Sequence, residues 1–168
     1  GVQEGAPAIG ADGQRLVDCP GFAVGVKAET AGVTRAGVRA MTAVYQADVP
    51  VCSVVIRKAY GLAGSAMMNQ SRTKWRYCWP SGDWGSLPMA GGIEAAFRKE
   101  LSEADNPAEL KASLYKKFEA IRSPFRTAES FLAEEIIDPR DTRSLLVDFA
   151  HHAQRAIAVG ERRISFRP

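Results

Sequence analysis

The chain has 168 residues, 46% of them hydrophobic and 24% charged, a balance that excludes a disordered tail and suits one domain with its own core. Its 22 Lys and Arg are interspersed with 19 Asp and Glu, for a formal charge of +3. No basic block marks a nucleic-acid binder. No apolar run approaches the ~18 residues of a membrane-crossing helix, and no charged segment leads into an apolar one at the start, so a soluble, cytoplasmic protein without a membrane partner is expected.

Residues 1–14, GVQEGAPAIGADGQ, lack periodicity and are expected to be poorly ordered or a cut edge. The chain starts at Gly1 rather than Met, which points to a fragment. RLVDCPGF gives a short strand closed by a turn at Pro20 and Gly21. From Glu29, Val33, Gly37, Ala40, Met41 and Val44 recur at three- and four-residue steps, the pattern of a helix with a small apolar face. VCSVVI is too short for a buried helix and rich in valine, so it predicts a strand covered on both faces. A helix after Gly61 then implies strand–helix–strand units with parallel crossovers. RYCWPSGDWGSLPM predicts two short strands broken at Pro80-Ser81-Gly82, with the tryptophans as core or wall residues.

AGGIEAAFRKEL predicts one glycine-led helix. NPAELKASLYKKFEAI opens with Asn106 as N-cap, Pro107 in the first turn and Glu109 three after the cap, the arrangement of a capping box. Asp138, Pro139 and Asp141 start a last helix in the same way, with Leu145, Phe149, Ala153 and Ile157 as its core-facing stripe. The terminal GERRISFRP is basic and expected to be exposed.

Few side chains qualify as catalysts. Cys19, Cys52 and Cys78 are odd in number and form no C-x-x-C pair, so they fit neither a zinc site nor a disulfide framework and are expected as buried thiols. His151 and His152 are adjacent and point about 100° apart on a helix, without a metal-binding spacing, and no metal is expected. Nucleotide-binding glycine motifs and a G-x-S-x-G elbow are absent, and Ser65 has neither a His nor an acid that spacing pairs with it. Glu134 and Glu135 are expected as a solvated rim. What remains is RKAYGLAGSAMMNQ, residues 57–70, where a β-branched run feeds a glycine turn and then a helix. Small residues there serve close packing, and backbone N–H groups at such a helix start hold an oxyanion. The residues alone leave both readings open.

Several segments taken together decide the matter by likeness. V-D-x-P-G-F at Val17–Phe22, G-x-x-R-x-G at Gly32–Gly37, V-P-x-x-x-V-I-x-R-K-A-Y-G at Val49–Gly61, Trp79-Pro80, and I-D-P-R-x-T-R at Ile137–Arg143 stand in one order between about Arg15 and Ala158. In that order they resemble the C-terminal domain of the carboxyltransferase β subunits of biotin-dependent acyl-CoA carboxylases, such as acetyl- and propionyl-CoA carboxylases. The resemblance implies an α/β crotonase fold of repeated ββα units over residues 15–168, incomplete at its N-terminus because the family has a further stretch before V-D-x-P-G-F. It implies carboxyl transfer from carboxybiotin on a carrier protein to the α carbon of a short-chain acyl-CoA. The implied partners are a biotin carboxylase or carrier subunit, an N-terminal carboxyltransferase domain that binds most of the acyl-CoA, and further copies in a homo-oligomer.

The family's chemistry implies backbone catalysis. Loss of carboxylate from carboxybiotin leaves a ureido oxyanion, which takes the α-proton of the acyl-CoA, and the enolate attacks CO₂. The matching oxyanion-hole positions are Leu62 and Ala63, with Gly61, Gly64 and Ser65 as their substrate-binding neighbours. Two of these depart from the family: Leu62 stands where glycine is usual, and Ser65 where an acyl-selecting Asp or hydrophobic residue is common. The resemblance is shared by biotin-dependent decarboxylases that run the transfer in reverse, and a truncated assembly module with the same fold is the non-enzymatic reading.

Overall fold

A computed structural model describes residues 13–46, 49–68, 75–86 and 89–158. Residues 1–12 of the start expected to be poorly ordered, and the basic end 160–168, therefore lie outside the described residues, while Gln14 is ordered as the first residue of a strand paired with Cys52. Five strands form one sheet in the order β1-β2-β3-β5, with β4 also paired to β2. The strands are β1 (Gln14–Cys19), β2 (Cys52–Tyr60), β3 (Trp75–Cys78), β4 (Asp83–Gly85) and β5 (Glu135–Ile136), and every pairing is parallel.

The centre of the sheet is β2, because it is the strand with apolar residues on both faces. Cys52, Val54 and Val55 are fully buried. On one face Val55 and Ala59 pack with Val17, Cys19, Cys78 and Ala133, under α3 (Gly61–Met67). On the other, Cys52 and Val54 pack with Ile137, Phe149 and Ala153, under α8 (Thr142–Ala158). Such double coverage is what removes strand alternation from VCSVVI. All three cysteines are buried free thiols. β1 is an edge: it pairs only with β2 among the described residues, and it leaves Leu16 43% exposed while Val17 is fully buried.

Where the helices differ from expectation, the cause is local. Gly32, with φ +74°, divides the helix expected from Glu29 into α1 (Val26–Thr30) and α2 (Val33–Gln46). On α2, Gly37 and Val44 are buried but Ala40 is exposed, so the apolar face is narrower than its spacing suggests. A break at Phe97 likewise splits the glycine-led helix into α4 (Met89–Ala96) and α5 (Arg98–Glu103). Both neighbour α6 (Pro107–Ile121), where Phe118 meets Phe97 at 5.7 Å between ring centroids.

The capping box on α6 is formed: Asn106 Oδ1 accepts from the Glu109 N–H at 3.2 Å, and Asn106 Nδ2 donates to Glu109 Oε2 at 3.2 Å. After the short α7 (Pro124–Glu129), Asp138 caps a 3₁₀ turn at Pro139–Asp141 that leads into α8. On α8, Phe149 and Ala153 are buried, but Ile157 is 56% exposed because the helix runs past the sheet's edge of cover. Glu134 and Glu135 are exposed, as expected of a rim, and the Glu134 carboxylate is also the ion-pair partner of buried Arg76.

Phe149 is 1% exposed and meets Trp75 edge-on at 5.1 Å. Phe149→Ala is expected to cost about 3–5 kcal/mol in urea unfolding, whereas Val147→Ala, on the half-exposed side of α8, is expected to stay within about 0.5 kcal/mol.

Candidate functional site

β2 ends where the parallel sheet presents its C-terminal strand ends, and the chain enters α3 without a spacer. Tyr60 is extended (φ −108°, ψ 148°) and Gly61 follows at φ +61°, a left-handed conformation in which a Cβ is strained even though the nearest non-neighbour atom lies 3.7 Å from where it would stand. Gly64 has a different reason. A Cβ there would lie 2.3 Å from the Ala59 carbonyl carbon, so only glycine lets α3 lie back on the strand it left. The packing half of the sequence-level question is therefore answered by geometry.

The first N–H groups of a helix have no intrahelical partner. At α3 no side chain caps the start, and no turn or loop carbonyl among the described residues accepts from Leu62 or Ala63. The helix start borders a cavity of about 600 Å³. Gly61, Leu62, Gly64, Ser65 and Met68 form one wall; Trp84, Gly85 and Ser86 another; Thr127 and Leu132 close the side, with Ala59 below. Four of the five predicted site residues thus line one cavity. The fifth, Ala63, turns its methyl into the core instead and is 6% exposed. Leu62 is 66% exposed at the mouth. Among the described residues no charged side chain lines the space; its polar side chains are the hydroxyls of Ser65, Ser86 and Thr127.

Comparison with known proteins places this geometry. The carboxyl transferase domain family matches residues 15–163. The chain belongs to that family. It is 37% identical over 131 residues to the methylmalonyl-CoA carboxyltransferase 12S subunit of Propionibacterium freudenreichii subsp. shermanii, covering 77% of this chain and 25% of that one. It is 33% identical over 135 residues to the methylmalonyl-CoA decarboxylase subunit alpha of Propionigenium modestum, covering 79% and 26%. A crystal structure of transcarboxylase 12S, a hexamer with methylmalonyl-coenzyme A and methylmalonic acid bound, superposes with a TM-score of 0.73 at 32% identity, over 92% of this chain and 29% of that one. The chain thus spans about a quarter of the length of the curated relatives it matches. The α/β crotonase fold expected from the motifs is the fold of these carboxyltransferases.

In this carboxyl transferase domain the side chains that hold the turn were not singled out by sequence reasoning. The Tyr60 hydroxyl donates to Asp83 Oδ2, and Arg122 Nη2 donates both to that hydroxyl and to Asp83. The Arg122 guanidinium carbon also lies 5.5 Å from the Tyr60 ring centroid. This clamp joins the end of β2, β4 and the end of α6, the first two of which contribute residues to the cavity wall. Its members are 23 and 62 positions from Tyr60, a separation for which no local pattern gives a signal. Burial, then the Asp83 carboxylate, pushes the Tyr60 phenol up to about 12, so Tyr60 is a neutral donor there. On the other side of the turn Asp18 accepts from Arg57 Nη2 at 2.6 Å and from the Lys58 N–H at 3.2 Å. The Arg57 hydrogen bond holds that carboxyl below its ordinary range.

Two outcomes test the turn. Gly61→Ala is expected to cost about 1–2 kcal/mol, the left-handed strain alone, and Gly64→Ala about 3 kcal/mol because its obstacle is backbone; a reversed order in urea unfolding contradicts the geometry. Raised pKa values also set an alkaline limit. Burial pushes Cys78 to about 11 and Cys52 to about 12 from an ordinary 9.0, and Tyr60 to about 12 from 10.0. The folded state binds these protons more tightly, so their contribution is complete below pH 9 and is lost as pH rises towards 12. Urea midpoints measured across that range are expected to fall, and Tyr60→Phe to remove the part of the fall that begins at pH 10.

Proposed function

We propose that this chain is the C-terminal portion of a cytoplasmic carboxyltransferase subunit that moves a carboxyl group between biotin and a short-chain acyl-CoA, with the backbone N–H groups of Leu62 and Ala63 as its oxyanion hole. The observation that carries this reading is the uncapped start of α3 beside an uncharged cavity. Carboxybiotin, delivered by a carrier protein, supplies the carboxyl group. The cavity suits its neutral bicyclic head: Leu62, Met68 and Trp84 offer apolar contact, and Ser65 and Ser86 offer hydroxyls to a ureido group.

In this reading the Leu62 and Ala63 N–H groups hold the ureido oxygen as negative charge develops there, and the positive end of α3 adds to that field. Gly61 and Gly64 set the donors' direction, and the Tyr60–Asp83–Arg122 clamp keeps the helix start from shifting. No side-chain base stands among the described lining residues; with carboxybiotin bound, the ureido oxygen held by these donors would be the group to accept the α-proton. The same donors serve carboxylation and decarboxylation, in keeping with relatives of both names. The acyl-CoA and the remainder of the site come from an N-terminal carboxyltransferase domain, and the hexamer of the related transcarboxylase supports a homo-oligomeric assembly.

The test is carboxyl transfer by the complete subunit carrying this chain, with a biotinylated carrier and propionyl-CoA. Ala63→Pro deletes one donor in the first turn, where proline is tolerated, and is expected to lower transfer on the order of 10²-fold while biotin carboxylation is unchanged. Ala63→Gly keeps the N–H and is expected to transfer within a few-fold of wild type. Equal rates for wild type and Ala63→Pro exclude the backbone hole.

A further inference from the structure

Near the N-terminal ends of the strands stand two buried arginines, of which Arg76 alone has a carboxylate partner among the described residues. The register pairs Arg15 of β1 with Ser53 of β2, and Ser53 with Arg76 of β3. Paired residues on parallel neighbours point to the same face, so the three side chains stand in a row beneath the C-terminal end of α3. Strand spacing puts the two arginine Cα atoms about 10 Å apart, within reach of two long side chains converging on one group. Arg15 is 3% exposed and Arg76 6%.

Glu134 satisfies part of this row. Its carboxylate accepts from Arg76 Nη2 at 2.5 Å and Nε at 3.0 Å, and the Phe131 carbonyl accepts from Nη2 at 3.1 Å. Arg76 Nη1 is buried with no partner, as are Arg15 Nε and Nη1. The Ser53 hydroxyl is committed to the Met67 carbonyl at 2.6 Å. Burial lowers the Arg15 pKa, and no anion among the described residues opposes that shift. A buried guanidinium without an anion is costly, and guanidinium N–H groups are shaped for the several lone pairs of a carboxylate or phosphate.

We propose that Arg15 and Arg76 together bind an oxyanion, a phosphate or carboxylate group, at the N-terminal end of the sheet. One such group balances the row's unpaired charge and fills its three free donors. Ser53 and Tyr60 are seven residues apart on β2, about 23 Å of extended strand, so the row lies away from the helix start, although Met68 and Leu132 of the cavity each follow a residue whose carbonyl meets it, Met67 and Phe131. The site is also independent of the proposed transfer function, because its ligand is recognised by charge alone.

The experiment is thermal unfolding of the full chain at pH 7 and constant ionic strength, with orthophosphate or acetate replacing chloride. Orthophosphate also stabilises proteins non-specifically, so the comparison is with Arg15→Met and with Arg35→Met, which alters an exposed arginine of α2. Wild type and Arg35→Met are expected to gain about 2–4 °C, saturating with anion concentration. Arg15→Met is expected to melt above wild type in chloride, since it lacks the unpaired charge, and to lose the saturable gain. The anion with the larger saturable gain identifies the ligand as phosphate-like or carboxylate-like. An equal response in Arg15→Met and wild type, or no saturable response in wild type to either anion, overturns the site. Should Arg15→Met fail to fold, the Nε–Hε resonance of Arg15 in ¹⁵N-labelled wild type decides: it is expected to shift on phosphate addition while that of Arg35 stays, and a stationary Arg15 resonance overturns the proposal.

Discussion

The contact on which the site depends is between residue 64 and the backbone of Ala59, with no side chain in between. Because Gly64 has no Cβ to meet the Ala59 carbonyl carbon at 2.3 Å, α3 folds straight back onto β2. That return fixes three things at once. It buries Ala63 and Ala66 against the sheet, lets Ser53 near the start of β2 bind the Met67 carbonyl at the end of the helix, and leaves the helix start at the C-terminal strand ends with no residue available to cap it. Packing and the proposed chemistry at this turn are not rivals: the close approach that glycine permits also sets the start of α3 beside the cavity that Gly61 and Leu62 line.

The motifs that stand in order along the chain are partners across the fold. Asp18 of V-D-x-P-G-F binds Arg57 and the Lys58 N–H of R-K-A-Y-G. Gly21 of the same motif, at φ +101°, comes close to Tyr60, whose carbonyl would lie 3.6 Å from an added Cβ. Trp79 of the Trp-Pro pair donates through Nε1 to Thr142 of I-D-P-R-x-T-R at 2.9 Å, and the Ile137 N–H bonds the Cys78 carbonyl at 2.8 Å. Most of these side chains position backbone rather than react, in keeping with a cavity lined by no charged group among the described residues. The ion pairs that are exposed, such as Arg57–Asp18, contribute little stability by themselves; their use is to fix which strand end lies beside which turn.

Legibility in the sequence followed the range of the interaction. β2 was readable because burial on both faces writes itself into consecutive residues, and the α6 cap because its partners are three positions apart. Gly61 and Gly64 were readable as a turn, although the sequence alone did not assign them different duties. The division at Gly32 and the break at Phe97 turn on single backbone conformations that a small-residue periodicity does not mark, and the exposure of Ile157 is not readable from a stripe that continues through it. The ion pair of Glu134 escaped notice because its partner, Arg76, lies 58 positions away. Asp83 and Arg122 escaped notice for the same reason.

The distribution of charge divides the sheet into two ends with opposite character. At the C-terminal ends the cavity wall is uncharged and the nearby cation, Arg122, is neutralised by Asp83 and occupied with Tyr60. A helix start gains most as an anion site where mobile charges and water do not screen it, so this arrangement favours charge that develops during a reaction over charge already present on a ligand. At the N-terminal ends the balance is reversed: of Arg15 and Arg76 only Arg76 has a carboxylate partner among the described residues, and the carbonyl end of α3 lies over them through its bond to Ser53. A standing cation pair favours an anion that is already formed. Under the two proposals, one short helix therefore runs between a place suited to a transient oxyanion and a place suited to a permanent one, at the two ends of a nine-residue strand.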